Sequence, residues 1–503
     1  MPLTNKSVST VPLTKEQVFA AAECGELFAG CLVSGLSGER ATIATLSPYD
    51  GKTIGKIEAG NEQVVNAAAT AARISFESGE WSALPLGERK TILQRWVALM
   101  TEHSEELAAL DCVDAGKPIS ECLNTDIPET IHTFAWYTEA IDKVFGRIAP
   151  TDSDTLGLIV KEPIGVVGAV LPWNFPAQMF AWKVAPALAA GNAVIVKPAE
   201  QTSLSAYRMV QLAHEAGVPE GTLSLVTGLG EAVGQPLGLH PDVDVVSFTG
   251  STEVGRLFLQ YSAQSNLKEI VLECGGKSPQ IIFPDVYSLD EIVDDVLNAA
   301  FWNMSENCSC GSRLLVHTSI KDALVEKLKA SLDNWKLGDP QDPQVSIGPM
   351  IEPAHFEKVR GYLARTKAEG ATLVHGGGTP DIGAGLFVEP TIFDNVTPEM
   401  ALFQEEVFGP ILAVTTFDSE EEAVRLANDG QYGLAASLYT ADIRRAHRVS
   451  RQLKAGTVSV NCFSEGCIAT PFGGYKQSGF GGRDNGLEAF DQYLQTKTIW
   501  LQN

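Results

Sequence analysis

Long uninterrupted apolar runs are missing from this chain. Its two most hydrophobic stretches, around Pro163–Trp173 and Ala185–Val196, are shorter than a membrane span and broken by glycine and proline. They read as buried strands and helices. A surplus of positive charge is also missing: 37 Lys and Arg stand against 62 Asp and Glu, a net charge of −25. Such a protein repels phosphodiester backbones and anionic headgroups, which excludes nucleic acid and membrane surfaces as main partners. The polar stretch Met1–Lys15 has no basic region leading into an apolar segment with a small-residue cleavage site. Low-complexity segments and internal repeats are absent as well. The cysteines number nine, an odd count that fits reduced thiols and a cytoplasmic protein better than a disulfide framework. Cys308-x-Cys310 is not a zinc spacing, and no second pair or nearby His completes a tetrahedral set, so no metal is expected.

What is present is material for a large core: 503 residues, 45% hydrophobic and 20% charged. That length predicts two or three lobes. Apolar residues at helical spacing predict helices over Asn61–Ser78, Leu86–Asp111 and Asp126–Val144. From Pro163 onward short β-branched runs alternate with helical segments. Strands are expected at Val166–Leu171, Ala193–Lys197, Leu223–Thr227, Val243–Phe248 and Ile270–Glu273. Between them, a helix over Ser203–Ala216 stops at Gly217, and another over Ser251–Ser262 is capped by Ser251. Short strands without polar alternation imply a parallel sheet covered on both faces, which binds ligands beyond the carboxyl ends of its strands. A second alternating region runs from Pro279 to about Asn461, with strands at Gln280–Phe283, Arg313–Val316, Ile411–Phe417 and Thr457–Asn461. Its helices are expected at Leu289–Asn303, Ile320–Trp335, Ala354–Glu369 and Glu420–Asn428. Val144–Lys161 and Tyr493–Gln502 are strand-like without helices beside them, and together they could form a small accessory sheet. The fold class is therefore α/β, with two parallel-sheet lobes and a β-extension.

Several residues could carry chemistry. Cys308 follows an apolar helix and precedes a polar, glycine-containing turn, where exposure and a helix field would favour the thiolate. Taken alone, a cysteine is more commonly a small buried hydrophobe. Glu273 closes a buried strand before Gly275-Gly276, where burial makes a carboxylate a usable base, or where Lys277 pairs with it. The strand–turn–helix Phe248-Thr-Gly250-Ser251-Thr-Glu-Val-Gly255 offers free amides to a pyrophosphate, although it lacks the usual Gly-x-Gly-x-x-Gly pattern. Asn174, in the rigid turn Pro172-Trp-Asn-Phe-Pro176, could donate to an oxyanion or simply form the turn. Glu200, just past a strand, could accept ribose hydroxyls or pair with Lys197.

Taken together, these stretches resemble the aldehyde dehydrogenase superfamily over nearly the whole chain. The match rests on Pro-Trp-Asn-Phe-Pro at 172–176, Lys-Pro-Ala-Glu at 197–200, Phe-Thr-Gly-Ser-Thr-Glu-Val-Gly at 248–255 and Leu-Glu-Cys-Gly-Gly-Lys-Ser at 272–278. It continues through the Cys308 segment, Gln-Glu-Glu-Val-Phe-Gly-Pro at 404–410 and Pro-Phe-Gly-Gly-Tyr-Lys-Gln-Ser-Gly at 471–479, in the same order and spacing. The resemblance implies an NAD-binding, Rossmann-like lobe over 1–143 and 162–274, a catalytic lobe over 275–480, and an oligomerisation extension over 144–161 and 491–503. It implies a homodimer or homotetramer that oxidises a small-molecule aldehyde to its carboxylate with NAD.

By the same resemblance, Cys308 is the nucleophile that passes through a thiohemiacetal and a thioester, Asn174 holds the oxyanion, and Glu273 activates water. Trp173, Lys197, Glu200, Gly230, Thr249, Gly250, Ser251, Cys274, Glu406 and Phe408 fall at cofactor positions, and Glu200 points to NAD over NADP. Phe175, Met179, Trp182, Trp302 and Phe472 would line an aromatic substrate tunnel, with Asp126, Glu129 and Glu465 as an acidic mouth. Trp136-Tyr-Thr-Glu139-Ala-Ile-Asp142-Lys and the endings Gly-Arg483-Asp and Lys497-Thr-Ile-Trp500 resemble bacterial γ-glutamyl-γ-aminobutyraldehyde and other aminoaldehyde dehydrogenases. Betaine aldehyde and aromatic or aliphatic aldehydes are the alternatives, and Cys467 stands where that subgroup carries a second acid. The chain also departs from the family's Asn-x-Gly-Gln-x-Cys: Ser305 replaces the glycine and Glu306 the glutamine. A charge at Glu306 close to the thiol would raise its pKa, and a degenerate, NAD-binding structural protein is the corresponding alternative.

Overall fold

The computed structural model describes residues 11–383 and 385–502, so residues 1–10 of the expected cofactor lobe and residue 503 of the extension lie outside the description. Two large sheets organise it. The first has six strands in the order Gly479–Phe480, Glu269–Glu273, Val245–Thr249, Val166–Val170, Ala193–Lys197 and Leu223–Leu225, parallel except for the first. Alternate residues serve opposite faces, as strand geometry demands. Val167, Ala169, Val194 and Val196 join one apolar cluster, while Val166, Val170, Ala193 and Ile195 join another. Both faces are covered, which is why these strands read as unbroken apolar runs.

The second sheet has seven strands, in the order Thr372–His375, Thr391–Asp394, Ile411–Phe417, Arg313–His317, Pro279–Ile282, Ala435–Tyr439 and Thr457–Val460. Only its first pair is antiparallel. The accessory sheet expected from Val144–Lys161 and the C-terminal strand forms from Arg147–Ala149, Thr155–Pro163 and Leu494–Gln502. It leaves Ile148 and Trp500 exposed. Among the described residues no helix is long and apolar enough to cross a membrane.

Local signals set most boundaries. Ser251 Oγ accepts from Val254 N at 3.2 Å and starts the helix Thr252–Gln264, and Gly217, at φ 112°, ends Leu204–Ala216. The single helix expected over Leu86–Asp111 is two, Leu86–Glu102 and Ser104–Ala115, parted at His103. The break builds a buried polar knot: His103 Nδ1 lies 2.5 Å from Glu106 Oε2, and Arg208 Nε lies 2.9 Å from Glu106 Oε1. A small sheet of Leu27–Ala29, Thr53–Glu58 and Thr42–Leu46 was not expected. The last of these strands is mostly exposed and carries too little apolar pattern to announce itself. Gly479–Phe480, expected at the end of the second lobe, instead pairs with Glu273 and Leu272 in the first sheet. That return brings the 471–479 turn against the end of the strand bearing Glu273.

Candidate active site

The helix Leu289–Phe301 ends in a turn where Asn303, Met304 and Ser305 have φ of 52°, 56° and 58°. Three successive left-handed residues reverse the chain, a conformation that L-residues adopt at a cost. Ser305 offsets part of that cost by donating its hydroxyl to Ala300 O at 2.5 Å. The turn delivers Cys308 partly exposed, whereas Cys310 is buried against the same Ala300 carbonyl. A strand follows, Arg313–His317, so the thiol lies in no following helix field as the sequence suggested. Burial instead pushes the Cys308 thiol well up, and Glu465, Glu273 and Glu406 reinforce the shift. At Gly276 a β-carbon would come within 2.4 Å of Cys308 O, so only glycine lets the 273–278 loop approach the nucleophile segment.

Glu273 ends its strand almost wholly buried, and its Oε1 has no hydrogen-bond partner among the described residues. Burial raises its pKa well above the carboxylate range, helped by Asp484 and opposed by Lys183 and Arg483. Asn174 donates from Nδ2 to Glu306 O at 2.8 Å, which aims its amide at the nucleophile segment. Among the described residues no acceptor meets the Cys308 backbone N–H.

A cleft of about 230 Å³ unites these groups. Cys308, Glu273 and Asn174 line it, as do Trp173, Thr249, Gly250, Ser251, Cys274, Glu406 and Phe408. Glu406 Oε1 accepts from Gly276 N at 2.9 Å, and the buried Thr249 hydroxyl has no partner among the described residues. Three expected cofactor residues lie outside this cleft. Lys197 and Glu200 pair with each other at 2.8 Å past the strand Ala193–Lys197, and Gly230 opens a separate turn, Gly230–Gly234. His355 and Lys358 line the cleft unannounced by the sequence. His355 donates from Nε2 to Phe408 O at 2.7 Å, and Trp173 packs edge-on against both rings. Burial pushes His355 down to about 4. Both residues sit on the helix Pro353–Ala368, whose periodicity was legible but whose facing was not.

On the other side, Phe175, Met179, Trp182, Leu434 and Phe472 form an apolar cluster against which Trp302 and Cys308 pack. Trp302 reaches the cleft only through Phe175, with ring centroids 5.3 Å apart, and its indole donates to Glu121 at 2.8 Å. Glu465 lines the cleft as expected. Asp126 does not: it is fully buried, 2.5 Å from Lys117 Nζ, beneath the 172–176 turn. Glu129 is exposed, away from the cleft. Glu306 is buried too, accepting from Ile351 N at 3.3 Å, and the leading charges on Cys308 are Glu465, Glu273 and Glu406 instead.

The aldehyde dehydrogenase family model matches residues 36–499. The chain belongs to that family. This aldehyde dehydrogenase is 53% identical over 460 residues to aminoacetaldehyde dehydrogenase of Pseudomonas aeruginosa, covering 92% of each chain. It is similar to the crystal structure of γ-glutamyl-γ-aminobutyraldehyde dehydrogenase from Burkholderia cenocepacia, with a TM-score of 0.94 and 46% identity over 97% of this chain and 100% of that one. An indole-3-acetaldehyde dehydrogenase solved with NAD+ matches with a TM-score of 0.94 at 42% identity, over 98% of this chain and 100% of that one. The dehydrogenase is an NAD-dependent oxidoreductase acting on aldehydes.

Proposed function

We propose that Cys308, Asn174 and Glu273 carry the oxidation of an aldehyde bearing a cationic amino group. The observation that carries the assignment is their convergence on one cleft, between an aromatic wall and a capped helix N-terminus. Cys308 Sγ attacks the carbonyl carbon, and its proton leaves to a neighbouring carboxylate. Asn174 Nδ2 and the Cys308 N–H donate to the oxygen where negative charge develops. The groups present fit NAD: the Ser251-capped helix N-terminus suits a pyrophosphate, and the free Thr249 hydroxyl, Glu406 and the Trp173–Phe408–His355 wall lie beside it. NAD, when bound, accepts the hydride. The thioester left on Cys308 then needs water, and Glu273 in its ionised form takes the water's proton, its burial making the carboxylate a stronger base. Glu200, paired with Lys197 beyond its strand end, is assigned to the ribose hydroxyls, where a carboxylate disfavours a 2′-phosphate.

Support for an aminoaldehyde comes from Glu465 inside the cleft and from the activities named for the P. aeruginosa and B. cenocepacia relatives. The apolar cluster of Phe175, Trp182 and Phe472 favours a second reading, an uncharged aromatic aldehyde. Steady-state kinetics on aldehydes of both kinds separate the two. Glu273→Gln tests the mechanism: we expect one NADH per active site in a burst and then a stall, and no burst from Cys308→Ala. Turnover retained by Cys308→Ala refutes the assignment. The lobes follow the two large sheets, and self-association runs through the accessory sheet to give a cytoplasmic dimer or tetramer.

A further inference from the structure

The residues on either side of the nucleophile are tied to one carboxylate. Glu465 Oε1 accepts from Ser309 Oγ and, at 3.3 Å, from Asn307 Nδ2. Asn307 Oδ1 in turn accepts from the Ser309 backbone N–H and hydroxyl, each at 3.1 Å. Cys308 is bracketed by this knot, and Glu465 shares its cleft. The other charged groups facing the thiol come from three separate elements. Glu273 sits at its strand end, Glu406 follows the helix Ala401–Gln404, and Lys358 lies on Pro353–Ala368. Behind Glu273 stand Lys183, Asp484 and Arg483. Lys358 is the one Lys or Arg on the cleft wall among the described residues, and its charge faces Glu406 and Glu405. Burial raises the proton affinity of Glu465, Glu273 and Glu406 alike, and where they ionise the immediate field at the sulfur is acidic, with Glu465 its largest charged contributor.

A nucleophile in an acidic field reacts faster when a positive charge enters beside it. We propose that Glu465 is a specificity-determining residue that couples capture of a substrate's cationic tail to the reactivity of Cys308. The ammonium group of an aminoaldehyde neutralises the carboxylate that grips Asn307 and Ser309, and thereby relieves the opposition to thiolate formation. A neutral aldehyde of equal size leaves that opposition in place. The tail thus acts on the chemical step and not only on binding. This rests on the aminoaldehyde reading above.

The test uses the full-length enzyme and Glu465→Gln, whose amide oxygen can still accept from Ser309. Alkylation of Cys308 by iodoacetamide, an uncharged reagent, is followed against pH with and without propylammonium, which has no carbonyl. In the natural enzyme propylammonium should shift the alkylation profile to lower pH and speed the reaction severalfold at neutral pH. In Glu465→Gln the profile should already be shifted and propylammonium should do nothing. In turnover, the preference for aminopropanal over its uncharged isostere butanal should fall at least tenfold in Glu465→Gln, with kcat carrying a share of the loss. An alkylation profile unmoved by the substitution overturns the proposal, as does a loss confined to KM. If butanal is the better substrate of the natural enzyme while propylammonium still accelerates alkylation, the coupling stands and the substrate reading falls.

Discussion

Glu306 stands where the family resemblance leads one to expect glutamine, and its surroundings show how an acid is accommodated there. Its carboxyl is 1% exposed, accepts from Ile351 N and lies 3.5 Å from His355 Nε2. Burial pushes its pKa well up, which favours the uncharged carboxyl, a group of the size and polarity of glutamine. Its backbone carbonyl, which any residue would supply, holds the Asn174 and Asn303 amides. We expect Glu306→Gln to keep kcat/KM within about threefold of the natural enzyme at neutral pH, because the two neutral side chains are nearly equivalent. As pH rises, the natural enzyme should lose activity relative to the variant, since only it can ionise there; parallel pH profiles would contradict this. Cys308, Glu273 and Asn174, each equivocal alone, were nominated by the family resemblance and share one cleft. The placement of Asp126 was not, because helical spacing reveals a face but not what covers it.

The turn 172–176 is held from below. Lys117 follows the helix Ser104–Ala115, and its ammonium lies 2.5 Å from Asp126, donates to Asn174 O at 3.1 Å and sits 3.8 Å from the centre of the Phe175 ring. Removing Asp126 leaves a buried cation uncompensated. Asp126→Ala should therefore cost about 3–5 kcal/mol in urea unfolding, while Lys117→Met with Asp126→Leu should recover most of it. A loss under about 1 kcal/mol would mean water reaches the ammonium freely. The five parallel strands of the first sheet were legible because each is buried on both faces. Ala435–Tyr439 was not, since its alanines carry no strand preference and only its neighbours Pro279–Ile282 and Thr457–Val460 make it one.

The whole molecule should lose stability on the alkaline side. Asp111 and Asp114 are fully enclosed on one helix, and burial lifts them to about 7 and about 8. Folded pKa values above the unfolded ones mean that the folded state holds the extra protons. The associated stability is complete below about pH 4, the unfolded carboxylate range, and is lost as pH rises through the folded values. The Tm should fall from about pH 6 to pH 9, and Asp114→Asn, neutral at every pH, should flatten that fall. A Tm that rises with pH would contradict the assignment. At the accessory sheet, Trp500→Lys should yield a smaller species in sedimentation if that surface joins subunits, given that Trp500 is 62% exposed on a nine-residue strand.

The linear order of residues determined the fold class and the alternation of strands and helices, because both depend on local periodicity, and its ordered motifs carried the family resemblance that nominates Cys308, Glu273 and Asn174 as nucleophile, base and amide donor. Tertiary structure alone decided which charges share the cleft. It buried Glu306 and Asp126, brought His355 and Lys358 to the wall, and tied Glu465 to Asn307 and Ser309 on either side of Cys308. Such outcomes depend on where distant segments pack, and a side chain's charge and pKa follow the dielectric and neighbours it meets there.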